Sequence, residues 1–251
     1  MKINPIGGLR TESEGQEPKK LERLFLDAIN SELTDPLEDF PVYVRRQKLT
    51  RIFALYEIFK KIIKTKGSII ECGIHGGFGL FSWAKMSSIL EPLNLMRRIY
   101  GFDTFEGFTK INSEDSSKYS KHIKSGDLSN ASFENLNKAK NIYDSTRPLG
   151  HVNKINIIKG DACETIPKFI KDNPHVLVSL LFLDFDLYEP TKAAIENFLP
   201  RMPKGSIIAF DELDNPLWPG ETLALLELTK SKKLKLERLD FDPYISYAII
   251  E

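Results

Sequence analysis

Five short apolar runs in this chain each end on or beside a carboxylate: Glu71, Asp103, Asp161, Asp184 and Asp211. One acid at the end of a strand is ordinary, because Asp readily caps the helix that follows. Five at equivalent points imply a shared acidic edge. Around the first, the chain reads Glu71-Cys72-Gly73-Ile74-His75-Gly76-Gly77-Phe78-Gly79. Glycines there let the backbone turn sharply and approach a ligand closely, and the next helix offers its N-terminal amides. A nucleotide-type cofactor is implied, with His75 placed to shape the loop or touch the ligand. The spacing does not suit a dinucleotide: G-x-G-x-x-G needs glycine at 75, and counting from Gly77 and Gly79 reaches Ser82. An NAD-dependent oxidoreductase is thereby disfavoured.

A second constellation lies further on. Leu183-Asp184-Phe185-Asp186-Leu187-Tyr188-Glu189-Pro190-Thr191 closes one apolar run, and Asp211-Glu212 closes the next, 27 and 28 positions after Asp184. Carboxylates crowded at neighbouring strand ends repel one another and call for a cation, and an all-oxygen set favours Mg2+ or another divalent ion. Neither His nor Cys takes part, which argues against structural zinc.

These residues need a scaffold that brings them to one edge. The runs Ser68 to Cys72, Arg98 to Asp103, Ile155 to Asp161, Leu177 to Asp184 and Ser206 to Asp211 alternate with helical stretches at Leu80 to Leu90, Phe133 to Tyr143, Glu164 to Lys171, Thr191 to Leu199 and Glu221 to Ser231. Strand and helix in alternation predict a parallel sheet covered on both faces, with ligands outside the carboxyl ends of its strands. The tail, Leu234 to Asp242 and Tyr244 to Ile250, reads as a closing hairpin turned at Asp-Pro. Two amphipathic helices precede the first strand, one from Pro18 through Leu33 and one from Leu49 to Ile63. The expected organisation is a flexible arm over 1–18, a helical extension over 19–66 and one domain over 67–251. The segment 104–132 has no strong periodicity and reads as a lid beside the site.

With 251 residues, 41% hydrophobic and 28% charged, the chain has material for a sizeable core, and disorder falls away. Thirty-five basic and 35 acidic residues cancel, so no overall field favours nucleic acid or an anionic membrane. No apolar stretch approaches a spanning helix, and the N-terminal residues lack a secretory core, so a cytoplasmic protein is expected. Cys72 and Cys163 are read as buried small side chains.

Glu71, Gly73 and Gly77 form E-x-G-x-x-x-G, which resembles the cofactor loop of class I S-adenosylmethionine-dependent methyltransferases. Glu71 to Gly79, Gly101 to Phe108, Leu183 to Thr191 and Gly205 to Glu212 resemble, in order, the signature blocks of the macrocin O-methyltransferase (TylF/MycF-type) family. The resemblance covers most of residues 67 to 215. It implies an α/β, Rossmann-like class I methyltransferase fold: a mostly parallel seven-stranded sheet, a C-terminal antiparallel hairpin and an N-terminal helical extension. It also implies metal-dependent methylation of a sugar hydroxyl on a glycosylated natural product or sugar nucleotide. Carried over, the loop with His75 backs the methionine part of S-adenosylmethionine, Asp103 takes the ribose hydroxyls and Asp161 lies near the adenine. Asp184, Asp211 and Glu212 would hold Mg2+, and Asp186 and Tyr188 would line the acceptor side. The family's usual pair after the fifth strand is Asp-Asp, where this chain has Asp211-Glu212.

The base that takes the hydroxyl proton is open between His122, in the lid-like segment, and Asp186. Tyr188 and Trp218 offer a stacking wall for a sugar ring. The expected partners are a small sugar-containing acceptor and a second copy of the chain, with neither nucleic acid nor membrane. Two other readings stand beside this one. A phenol methyltransferase is disfavoured by Leu187, where catechol-type enzymes carry Lys. A non-catalytic binding module of the same fold would have no need for an acidic cluster.

Overall fold

The computed structural model describes residues 12–31, 35–119, 124–129, 132–228 and 234–251. His122 lies outside them. The chain divides into two compact units, Met1–Phe53 and Ala54–Glu251. The first holds α1 (Glu12–Ile29), the short α2 (Phe40–Tyr43) and the start of α3 (Arg46–Ile62). Helix α1 begins six residues before the expected limit of the arm at 18, and Pro18 lies inside it. Residues 12–17 (ESEGQE) contain no apolar side chain, so no periodicity could have marked that turn and a half.

The division falls inside α3 and not at 66/67, for a simple reason of burial. Ala54, Leu55, Ile58, Phe59 and Ile62 recur at three- and four-residue steps and are all fully buried, so this stripe belongs to the core of the second unit.

That second unit is built on β1 (Ser68–Cys72), β2 (Ile99–Asp103), β3 (Ile155–Lys159), β4 (Val178–Leu183), β5 (Ile207–Phe210), β6 (Glu237–Arg238) and β7 (Ser246–Ile249). They form one seven-stranded sheet in the order β3-β2-β1-β4-β5-β7-β6. The first five are parallel, and β7 runs antiparallel to both β5 and β6. The fold class and the closing hairpin are those the residues predict. Its outer strand β6 is only two residues long, because Leu234 to Leu236 carry no ladder. Helices α4 (Phe78–Leu90), α5 (Phe133–Thr146), α6 (Ala162–Asp172), α7 (Tyr188–Phe198) and α8 (Pro219–Leu228) connect the strands.

β1, β4 and β5 are buried along their whole length, as central parallel strands with both faces covered must be. On one face Phe182 of β4 meets Trp83 of α4 edge-on, with ring centres 5.7 Å apart. On the other, Leu181 and Leu183 join Phe102, Phe169 and Phe198 in a cluster closed by α6 and α7. Register fixes the functional edge. Cys72 sits beside Phe102 and Leu183, and Leu183 beside Phe210, so these strands finish level with one another. Strand order reverses between β1 and β4, and the crevice at such a switch point is where open sheets of this kind take ligands.

Candidate active site

A cavity of about 530 Å3 opens at that point. Its walls include Gly73, His75, Asp103, Asp161, Asp184 and Asp186, six of the residues singled out from sequence. The volume suits a cofactor-sized molecule.

The glycine loop is shaped by close backbone contact. Gly73 has φ +84°, and a Cβ there would lie 2.0 Å from the carbonyl oxygen of Asp184. Its amide donates to the Phe102 carbonyl at 2.9 Å, while the Asp184 amide donates to the Cys72 carbonyl at 2.8 Å. The loops after β1 and β4 thus interlock with no room for a side chain. Asp103, at the end of β2, organises the loop that follows it and ties it to the β1 loop. Its Oδ2 accepts from the His75 amide at 2.8 Å and its Oδ1 from the Phe105 amide at 2.7 Å. Each carboxylate oxygen keeps a lone pair for a hydroxyl donor. Asp161 caps α6 by accepting from the Cys163 amide at 2.8 Å, and it faces the same cavity.

Two loop residues expected to touch the cofactor do not line the cavity. Gly77, at φ +84°, caps α4. Glu71 is 2% exposed and lies under the first turn of α4, where a Cβ on Gly79 would come 2.2 Å from its Oε1. A helix N-terminus is a favourable place for a buried carboxylate. β1 explains the placement, since alternate side chains point to opposite faces and Glu71 projects to the α4 side.

The acidic edge is arranged differently from the expected metal triad. Asp184 and Asp186 line the cavity, whereas Asp211 and Glu212 do not. Glu212 takes a hydrogen bond from the Asn215 amide group. Among the described residues no three His, Cys, Asp or Glu side chains are grouped so as to hold a metal ion. Neighbouring strand ends are necessary for such a cage but do not set side-chain direction. As placed, the donor set does not fit a bound divalent ion.

Instead a fifth acid, not marked out in sequence, occupies the centre. Glu221, in the first turn of α8, is fully buried. Its Oε1 accepts from the amides of Phe185 at 3.1 Å and Asp186 at 3.3 Å, and its Oε2 accepts from the Glu212 amide at 3.2 Å. Burial, reinforced by Asp211, lifts its carboxyl to about 8, against the pull of those amides. Asp186 is 9% exposed, with φ +62°. Burial raises its carboxyl well above the usual range, and Glu221, Glu212 and Asp211 raise it further.

The expected stacking residues sit at the margin. Tyr188 is buried, and its hydroxyl donates to Glu227, so it faces α8 and not the cavity. Trp218 packs edge-on against Phe108 at 5.7 Å, and it is Phe108 that lines the cavity. Cys163, expected to be buried, is exposed and faces the cavity.

Residues 70–213 match the family model described as a methyltransferase domain. The chain belongs to this methyltransferase family. Its structure is similar to that of CalS11, calicheamicin methyltransferase, with 31% identity and a TM-score of 0.89 over 96% of this chain and 94% of that one. An apo structure of CalS11, described as a TDP-rhamnose 3'-O-methyltransferase of calicheamicin biosynthesis, aligns at 30% identity and a TM-score of 0.80, covering 96% of each chain. A curated relative from Streptomyces olivaceus, 8-demethyl-8-(2,3-dimethoxy-alpha-L-rhamnosyl)-tetracenomycin-C 4'-O-methyltransferase, is 24% identical over 148 residues, or 58% of this chain. The chain spans about half the length, 52%, of that relative. Among the described residues no helix is long and apolar enough to cross a membrane.

Proposed function

We propose that this methyltransferase moves the methyl group of S-adenosylmethionine to a hydroxyl of a sugar, carried on a nucleotide or on a glycosylated natural product. The observation that carries the reading is one cavity lined by Asp103, Asp184 and Asp186 together. Likeness over nearly the whole chain to a TDP-rhamnose 3'-O-methyltransferase supports a sugar acceptor. Assignment to the macrocin O-methyltransferase type is the finer part of the same proposal.

The residues divide the work. Asp103, already held by two amides, is oriented to accept both ribose hydroxyls of the donor. Gly73 and His75 back the methionine end, and Asp161 closes the adenine end. Asp186 is buried, and its proton affinity is raised toward that of a useful base. It takes the acceptor's hydroxyl proton as the oxygen forms its bond to the methyl carbon. The carbon–sulfur bond breaks, and its electron pair returns to sulfur, leaving a neutral thioether. The protein otherwise aligns oxygen, carbon and sulfur and keeps water out. His122 remains a second candidate for the base.

Divalent-metal dependence also belongs to this proposal, with Asp184, Asp211 and Glu212 as the residues in question. Because they do not converge, no step is routed through an ion. The deciding experiment offers labelled S-adenosylmethionine with TDP-sugars or a catechol as acceptor, with and without excess chelator. The reading expects label in the sugar and none in the catechol. Label only in the phenol contradicts it, and full activity in chelator removes the metal alone.

A further inference from the structure

The loop that carries Asp184 and Asp186 is held by carboxylates from distant parts of the chain. Helix α7 begins at Tyr188, and the residue at its cap position is Leu187, whose side chain can accept nothing. Its first amide is capped instead from 73 positions away: the Tyr188 N–H donates to Oδ1 of Asp115 at 2.6 Å. Asp115 is 2% exposed, and its other oxygen accepts from the Asn112 amide at 2.8 Å. Room for this contact is made by Gly220, where a Cβ would lie 2.5 Å from both Asp115 Oδ1 and the Tyr188 nitrogen. Two residues earlier, Glu221 takes the amides of Phe185 and Asp186. Three of the four amides from Phe185 to Tyr188 therefore end on two buried carboxylates.

Asp115 belongs to the stretch whose Thr104, Phe108 and Asn112 wall the cavity. A second tie, the Ser117 hydroxyl donating to the Pro216 carbonyl at 2.6 Å, joins that stretch to the turn after β5. A left-handed conformation at Asp186 costs about 1 kcal/mol or more and persists only where the surroundings enforce it.

We propose that Asp115 and Glu221 are positioning residues that hold the Asp184–Tyr188 loop from two sides, so that the 104–119 wall and Asp186 keep one fixed relation across the cavity. This rests on the sugar O-methyltransferase reading for its kinetic arm and on geometry alone for its other arm. Donor contacts on Asp103 and Gly73 are not part of the device.

The test uses Asp115→Ala and Glu221→Ala, which remove both acceptor oxygens, with Asp115→Asn and Glu221→Gln, which keep side-chain volume and one acceptor oxygen, as controls that retain the contact and the fold. Amide hydrogen exchange of the full chain without any substrate is read first. Exchange at Phe185 and Asp186 in Glu221→Ala, and at Tyr188 in Asp115→Ala, is expected to rise at least about tenfold, with β4 unchanged. With sugar acceptors, kcat is expected to fall at least about tenfold while S-adenosylhomocysteine affinity holds within about twofold. Unchanged exchange at those amides overturns the proposal, as does exchange that rises throughout β4 and α7. If the wild type methylates no sugar, the functional reading fails, and the exchange result still decides whether the two carboxylates hold the loop.

Discussion

Asp103 and Asp186 both line the cavity, from the ends of the two strands that flank β1, and the proposal gives them different work. Asp103 is a fixed acceptor, so Asp103→Asn, which replaces one acceptor oxygen by a donor, is expected to weaken S-adenosylhomocysteine binding by about 10- to 100-fold, the worth of one or two charge-assisted hydrogen bonds. Calorimetry reads it directly, and affinity within twofold of wild type contradicts the assignment. Lys154 offers an independent check on the electrostatics of burial. It is 5% exposed, donates to the Asn94 carbonyl at 2.9 Å, and is pushed down to about 8 by burial. Between about pH 8 and 10.5 the unfolded chain holds a proton that the folded chain has released, so this group's contribution to stability rises with pH there. Urea melts of wild type and Lys154→Met are expected to show the wild type gaining on the variant across that window. A constant difference would contradict it. At this scale the strand-end acids were legible, because an apolar run stopping at a carboxylate is a local pattern. Glu221 and Asp115 were not, since their partners lie 35 and 73 positions away. Tyr188 was misplaced because sequence does not say which way a residue in the first helical turn points.

Among the elements, the interlocked turns after β1 and β4 frame the cavity. Gly73→Ala puts a Cβ 2.0 Å from a carbonyl oxygen in a backbone conformation that alanine resists, and it is expected to cost about 3 kcal/mol or more. At the opposite end of the strands Arg97 is 3% exposed and donates to the carbonyls of Ile62, Thr65 and Gly67, with Glu91 2.7 Å away. It fastens the end of α3 to the start of β1. Arg97→Met leaves those carbonyls and Glu91 without their partner, and a loss of about 3 to 5 kcal/mol is expected in equilibrium unfolding. A loss under about 1 kcal/mol would show that the cluster adds little. The strands and their helices were legible from hydrophobic period, and a parallel sheet followed from their alternation, whereas the strand order was not written in that pattern. The limits of α1 and β6 were not, since neither the polar start of α1 nor the length of an edge ladder is written in apolar spacing.

For the molecule as a whole, a balanced charge leaves recognition of any acceptor to local contacts around the cavity. The expected boundary at 66/67 followed a change of texture in the sequence, whereas compactness follows the buried stripe of α3 and divides the chain at Phe53 and Ala54. The fold class was readable in advance because strand and helix alternate without interruption from Ser68 to Leu228. The side-chain directions of Asp184, Asp211 and Glu212 were not, because strand adjacency fixes backbones and leaves side chains free to turn. Methyl transfer to a sugar, with Asp186 as the base, can be read in a single turnover. Protein saturated with methyl-labelled S-adenosylmethionine is mixed with TDP-rhamnose, and transfer is followed in wild type and Asp186→Asn. Labelled sugar is expected from the wild type, and in the variant a rate lower by about 100-fold or more with donor affinity retained. Transfer at the same rate in both proteins, or bound donor that never passes its methyl to a sugar, would contradict it.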